Sequence, residues 1–461
     1  MNLFRSAPRA ALILAFALPG LFAAEAQSRD DDIQALREQI RLLDQKLRVL
    51  ERNQELKDEA ATAAAKAAPK VTINDKGFTL ASGDSANSIR LRGLVQLDAR
   101  LFFGDDGAAR DAFVLRRARL ISEGVLAKNF GFQFVTEFGG SSVSILDANL
   151  TVALSKTTQL KFGKFKAPVG LEQLQSDTWT FFNERSIVTN LVPNRDLGIQ
   201  ISGKLLGDTV EYALGVFNGL PDGGSSNNTD FDNDKDVVAR VFATPFKDET
   251  ESPLSGLSFG VAGSIGRQES ASGRTGGFRT DGQQTFFSYN AATVADGQTW
   301  RVSPQVDYRH GPFGFIGEYV LSTINVRPSA TGAKTELQNE AWQLAFGYVL
   351  TGENSSYSGV VPKSDFNLSA GTWGAFEVVA RVAQLDVDDA AFPVFASPAT
   401  SANEASSFGV GLNWYLSKAA MLKLDYYQTD FGFNAVAPAV SNTPFLRQDE
   451  QTFITRFQIG F

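Results

Sequence analysis

Arginines recur on one parity of short alternating stretches in this chain. Arg90, Arg92 and Arg100 share one such face, Arg117 and Arg119 a second, and Arg240, Arg381 and Arg456 stand singly in the same pattern. A guanidinium stays charged at any working pH and offers a fork of donors that suits oxyanions. A row of them could replace an anion's hydration shell in steps, as charged rings do in selective pores. Arg301, Arg309, Lys161, Lys204 and Lys423 fall on the same face by alternation. So do carboxylates, among them Asp98, Glu123, Glu137, Asp147, Glu318 and Asp425. Pairing across neighbouring strands is therefore the competing use of these cations.

Catalytic chemistry is poorly served. His310 is the single histidine, in the turn-like R-H-G-P, and there is no cysteine. Neither a nucleophile elbow nor a phosphate-cradling glycine loop is present. The run T-D-F-D-N-D-K-D at 229–236 superficially resembles a calcium loop. It lacks the glycine at the sixth position, and the twelfth is Val241 rather than a bidentate glutamate. No enzyme activity, no cofactor, no metal and no nucleic-acid partner is expected.

The elements that must carry the arginines have period two. From Ile89 to Phe103, Ile89, Leu91, Val95, Leu97 and Leu101 oppose Arg90, Arg92, Gln96, Asp98 and Arg100. The segment 129–138 repeats this with Phe130, Phe132, Phe134 and Phe138, and 405–416 with Phe408, Val410, Leu412 and Trp414. About sixteen such segments succeed one another between 88 and 461, each near the length a tilted membrane strand needs. Short connections such as Ala127-Lys128, Gly311 and Ser417-Lys418 largely alternate with long ones such as 166–194, 218–234 and 267–298. An up-and-down meander with short turns at one rim and long loops at the other is the plan of an all-β, 16-stranded antiparallel transmembrane β-barrel. A soluble sandwich or propeller predicts no such asymmetry. The connection Thr351–Gly371 breaks the rule, being long where a short turn is due. Trp300, Trp373 and Trp414 near strand ends suit interfacial girdles.

The long connection 166–194 is too apolar for an exposed loop. Leu171, Leu174, Trp179, Phe181, Phe182, Ile187 and Leu191 ask for burial, which folding into the lumen would supply. Lys164, Lys166 and Arg185 would then stand beside the passage, with Lys161 on the strand that leads in. Packing of this loop on a neighbouring subunit is the alternative.

The two ends are also informative. Arg5 and Arg9, the apolar Ala11–Phe22 and the small-x-small Ala24-Glu25-Ala26 read as a signal peptide over 1–26. Within 30–68, Ile33, Leu36, Ile40, Leu43, Leu47 and Leu50 are spaced 3, 4, 3, 4, 3, an a/d seam that predicts an N-terminal α-helical coiled-coil segment. An Ala-rich continuation comes next, stopped by Pro69, and the barrel is expected over 75–461. At the other end, Phe453, Thr455, Phe457, Ile459 and Phe461 alternate with Arg456 and Gln458. The chain stops in strand rhythm because a closed barrel must pair its last strand with its first, here expected near Ile89. A terminal Phe461 on such a strand resembles the tag read by barrel-insertion machinery.

Several stretches, in order along the chain, resemble the family of phosphate-selective porins O and P. They are F-V-L-R-R-A-R-L-I-S-E-G at 113–124, L-K-F-G-K-F-K-A-P-V-G-L-E at 160–172 and F-F-N-E-R-S at 181–186. R-D-L-G-I-Q at 195–200, A-F-G-Y-V-L-T-G-E at 345–353, G-V-G-L-N-W-Y-L at 409–416 and the closing T-R-F-Q-I-G-F complete the set. The resemblance implies a homotrimer of sixteen-stranded barrels in the cell outer membrane, with the third loop folded inward. It also implies arginines leading small anions, phosphate or polyphosphate, toward a lysine-containing constriction. Its arginine rows would map onto Arg116, Arg117 and Arg119, and its strand before the third loop onto Lys161, Lys164 and Lys166. Outer-membrane lipid is the surrounding partner. The alternatives are a weakly selective diffusion porin, or a barrel whose coiled coil tethers the membrane to peptidoglycan.

Overall fold

The computed structural model describes residues 21–103, 109–272, 275–433 and 449–461. The basic and most of the apolar part of the expected signal peptide, through Gly20, lies outside the described residues. Helix α1 spans Leu21–Ala67 and is a unit by itself, ending at a bend before Pro69. It runs continuously through the expected cleavage motif Ala24-Glu25-Ala26.

The second unit, Pro69–Phe461, opens with a hairpin of Lys70–Asn74 and Gly77–Ala81, which period two alone does not distinguish from the first wall strand. Among the described residues sixteen strands make the wall. They are β1 (Ser88–Phe103), β2 (Ala112–Leu126), β3 (Phe130–Glu137), β4 (Ser144–Ala153), β5 (Thr158–Lys166) and β6 (Arg195–Leu205). Next come β7 (Val210–Phe217), β8 (Asp236–Ala243), β9 (Leu257–Ser272), β10 (Val294–His310) and β11 (Phe313–Arg327). The last are β12 (Thr335–Val349), β13 (Ala375–Asp386), β14 (Glu404–Tyr415), β15 (Ala420–Gly432) and β16 (Asp449–Gly460). Each pairs antiparallel with the next, and β16 pairs with β1, so the sheet closes.

The closing seam is displaced from the expected position. Gln451–Gly460 runs opposite Phe103–Leu94, and Phe461 exchanges two backbone hydrogen bonds with Gly93, 2.9 and 3.0 Å. Ile89 instead faces Leu80 of the N-terminal hairpin. The tilt of strands in a barrel staggers first against last. The start of β1 therefore projects past β16, and the hairpin covers its edge.

Outward positions such as Leu97, Leu101, Phe134, Leu150, Phe259 and Phe457 are exposed apolar side chains, as a lipid-facing wall requires. Phe366, Phe376, Trp373 and Trp414 cluster at the short-turn rim, with Trp414 edge-on to Phe366 at 5.3 Å and stacked on Phe376 at 5.5 Å. The long connection after β12 has a structural reason. It folds back so that the Tyr357 hydroxyl donates to Leu171 O at 2.6 Å and Ser355 N to Gly311 O at 2.8 Å. Val360 is buried there, with Trp179 packed against the same cluster.

At the opposite rim the long loops pack on one another. The hairpin Gly277–Arg279 with Thr285–Ser288 belongs to the loop between β9 and β10. Phe278 stacks on Phe287 at 5.1 Å, and Phe287 meets Tyr289 edge-on at 4.8 Å. Two aspartates of the 229–236 run are held locally: Lys235 Nζ donates to Asp230 at 2.7 Å, and backbone amides cap Asp230 and Asp232.

Candidate functional site

Loop three, residues 167–194, leaves β5 and folds into the lumen. It carries a short helix at Leu171–Leu174 and a 3-10 turn at Ile187–Leu191. Phe181 and Phe182 are buried against Ile316, Val379, Tyr427 and Ile454, an apolar patch on the inner wall. The loop's polar groups are met by the same wall. Leu171 N and Glu172 N donate to Glu318 at 2.7 and 3.2 Å. Asn183 N donates to Asp425 Oδ2 at 2.6 Å, and its amide to Ile454 O at 2.9 Å. Asn413 Nδ2 donates to Phe181 O at 2.9 Å. Loop three therefore fills the half of the lumen beside β11–β16, which leaves the open half beside β1–β6.

Three loop carboxylates fasten it by charge. Glu184 accepts from Arg100 at 3.0 Å, Arg116 at 2.6 Å and Arg456 at 2.9 Å. Asp177 accepts from Arg117 at 3.2 Å and, more closely, from Arg119 and Arg185. Glu172 faces Arg381 at 3.5 Å and accepts from Gln343 at 3.0 Å. Burial pushes the Asp177 and Glu184 carboxyls up. Arg117, Arg185 and Arg119 outweigh it at Asp177, and Arg116 and Arg456 at Glu184, so both are held well below the ordinary carboxylate range.

Two cavities of the open half adjoin each other. The inner one, about 580 Å³, lies toward the short-turn rim and is lined by Arg90, Arg92, Lys161 and Lys166, with Lys76 and Lys418. The outer one, about 520 Å³, lies toward the long loops and is lined by Arg116, Arg117, Arg185 and Arg279. Arg119, Arg195 and Asp177, each largely buried, line both, so the two cavities adjoin at a neck built of two guanidiniums and one carboxylate. Arg195 is itself paired to Asp147 at 3.0 Å.

The expected pathway residues thus divide. Arg90 and Arg92 border the inner cavity and share Glu123 at 3.4 and 2.9 Å. Arg117 borders the outer cavity, Arg119 the neck, and Arg185 the outer cavity from the loop. Lys161 lies 5.2 Å from the centre of the Phe165 ring and has no carboxylate partner among the described residues. Lys166 donates to Gln175 O at 2.8 Å.

Other placements differ from expectation. Lys164 lines neither cavity; its amine is held by Ser226 O at 2.6 Å and Asn228 Oδ1 at 2.9 Å. Arg100, Arg381 and Arg456 are buried behind loop three, Arg456 on Asp98 at 2.6 Å and Arg381 on Asp281 at 2.5 Å. A lumen-facing strand position is not an exposed one once a loop is packed on it. Arg240 donates to Gln305 at 3.1 Å and borders a separate recess with Lys204 and Glu211. Arg301 pairs with Asp222 at 2.7 Å and Arg309 with Asp307 at 2.9 Å. Lys423 is buried against carbonyls of loop three.

Two departures from strict alternation build the site. In the β1–β2 ladder Gln96 faces Arg117 and Leu97 faces Leu115, so Arg116 is the extra residue of a β-bulge. Arg116 and Arg117 consequently both reach the outer cavity. In β5, Gly163 has φ +113°, and a Cβ there would meet Ala148 O at 2.3 Å. Lys161 and Phe165 keep one parity across it, and Lys166, the last residue of β5, joins them in lining one cavity. The wall reading missed Arg195, Arg279 and the loop carboxylates. The adjoining R-D-L at the strand start was the available signal for Arg195.

The family described as phosphate-selective porin O and P matches residues 89–459. Porin O of Pseudomonas aeruginosa is 25% identical over 439 residues, covering 87% of this chain and 95% of that protein. An anion-selective porin from Comamonas acidovorans superposes with a TM-score of 0.51 at 12% identity, over 81% of this chain and all of that one. Salmonella typhi OmpF, in complex with daunomycin, gives 0.51 at 11% identity over 85% of this chain and all of that one.

Proposed function

We propose, on the premise that this chain belongs to the phosphate-selective porin O and P family and is an outer-membrane porin, that it passes small anions, phosphate or polyphosphate first, through the open half of its lumen. The observation that carries this is the neck shared by the two cavities, where Arg119 and Arg195 stand together. Arg116, Arg117 and Arg279 would gather anions on the long-loop side. Lys161 and Lys166 would receive them on the short-turn side, with Arg90 and Arg92 beyond. The channel is passive, and nothing in it needs a reacting group. Arg100, Arg381 and Arg456 act instead as anchors of loop three. A homotrimer, a cleaved segment over 1–26 and recognition of Phe461 during assembly belong to the same reading.

A specific observation favours a second reading, a weakly selective diffusion porin. The neck cations are answered by Asp177, Glu137 and Asp147 at contact distance. Reversal potential in a salt gradient across a planar bilayer separates the two, followed by titration with phosphate. Anion preference and block of the chloride current by phosphate are expected. A cation-selective potential, or chloride current indifferent to phosphate, overturns the anion reading.

A further inference from the structure

The channel leaves one surface of the chain unused, the apolar seam of α1. Ile33, Ile40 and Leu47 at a, and Leu36, Leu43 and Leu50 at d, are between 48% and 65% exposed. Each such side chain left in water forgoes roughly 1 kcal/mol or more of burial. The helix is unbroken through the whole seam, so nothing in its own fold will cover it.

We propose that Ile33–Leu50 is a self-association surface whose partner is the same segment in further copies of this chain, parallel and in register. The orientation rests on the membrane-barrel reading. Barrels inserted by one route face one way, and in each the chain enters its barrel unit through a hairpin at the short-turn rim. The same single residue, Ala68, separates helix from Pro69 in every copy, which sets the register.

The flanking charges agree. In this heptad Asp32, Gln39 and Lys46 fall at g, and Arg37, Asp44 and Glu51 at e. In parallel, in-register helices a g residue faces the next e residue of its neighbour. Asp32 then meets Arg37, and Lys46 meets Glu51, with Gln39 beside Asp44 and no like-charge pair. Arg37, Lys46 and Glu51 make no ion pair with another described residue, whereas Asp44 is bonded to Arg48 at 3.0 Å. Past Leu50 the seam fades to Gln54, Lys57, Ala61 and Ala64. A coil this short is marginal alone. Barrels already held side by side in a membrane would supply an effective concentration in the millimolar range. Leu42 and Val49 form a second apolar line at c, also exposed, and define the competing register.

The chain contains no cysteine, so single thiols report without background. Full-length Leu43→Cys at d, Gln45→Cys at f and Val49→Cys at c are oxidised in proteoliposomes. Leu43→Cys should link copies about tenfold faster than the other two, because disulfides form only where Cβ atoms approach closely. Lys46→Glu added to Leu43→Cys should slow the linking, and Glu51→Lys in the same chain should restore it. Faster linking at Val49→Cys or Gln45→Cys, or no linking at any position, overturns the proposal. Conductance of the same proteoliposomes is read in parallel, so loss of the porin reading and loss of this one are told apart.

Discussion

Asp177→Asn tests the neck most directly. The substitution keeps the size of the side chain and removes the one carboxylate that borders both cavities. Arg117, Arg119 and Arg185 lose the charge they share, while Glu184 and Glu172 still hold loop three through Arg100, Arg116, Arg456 and Arg381. An anion at the neck would stand some ~6 Å from the lost charge. At an effective dielectric of ~20 to ~80 the repulsion removed is roughly 0.7–3 kcal/mol. That corresponds to about 3- to 100-fold tighter phosphate binding, the lower end applying in high salt. The assay is half-block of chloride conductance by phosphate in planar bilayers, with single-channel current recorded on the same preparations. Half-block should fall by at least the lower factor, and channel current should fall as phosphate lingers. An unchanged or weaker block, with the channel otherwise intact, would refute the claim that the neck is where anions are held.

Three further outcomes are expected. Arg456→Leu removes from buried Asp98 and Glu184 the guanidinium that reaches them at 2.6 and 2.9 Å, leaving Arg100 to hold both at 2.9 and 3.0 Å. Breaking a buried pair outright costs on the order of 3–5 kcal/mol, which is the upper bound here, read as a lower unfolding temperature in detergent and noisier single-channel current; wild-type stability would remove the anchor role. Gly163→Val forces a side chain onto Ala148 O at a φ of +113°, so the yield of folded barrel should collapse on heat-modifiability gels. For pH, Asp177 and Glu184 are depressed, so their contribution is complete above the ordinary carboxylate range near 4 and is lost only as pH falls through their lower folded values. Single-channel noise should rise in strong acid, and in Asp177→Asn that acid rise should shrink; an identical acid rise in the two proteins contradicts the pairing.

Much of the fold was legible because strand parity is a local property. Each residue's face is settled by the residue two places away, so Phe453 to Ile459 could be assigned outward and Arg456 inward without any partner. The sixteen strands, the alternation of loop lengths and the inward loop three came from repeating that rule and from apolar residues that needed cover. The rule failed at two positions. The bulge turned Arg116 onto the face of Arg117, and at the end of its strand Lys166 came to line the cavity of Lys161.

What the sequence determined by itself, then, is the wall: closed, antiparallel, apolar outside and charged inside. What only the tertiary structure decided is which of the inward cations still meet water. Loop three brings Asp177 and Glu184 to arginines on strands far away in the chain. Packing Arg381 and Arg456 behind loop three while leaving Arg119 and Arg195 on the walls of two cavities depends on which half of the lumen that loop fills. Ion pairing and solvent access are set by closure of the barrel and by packing across it, and neither has a periodicity that a linear sequence can display.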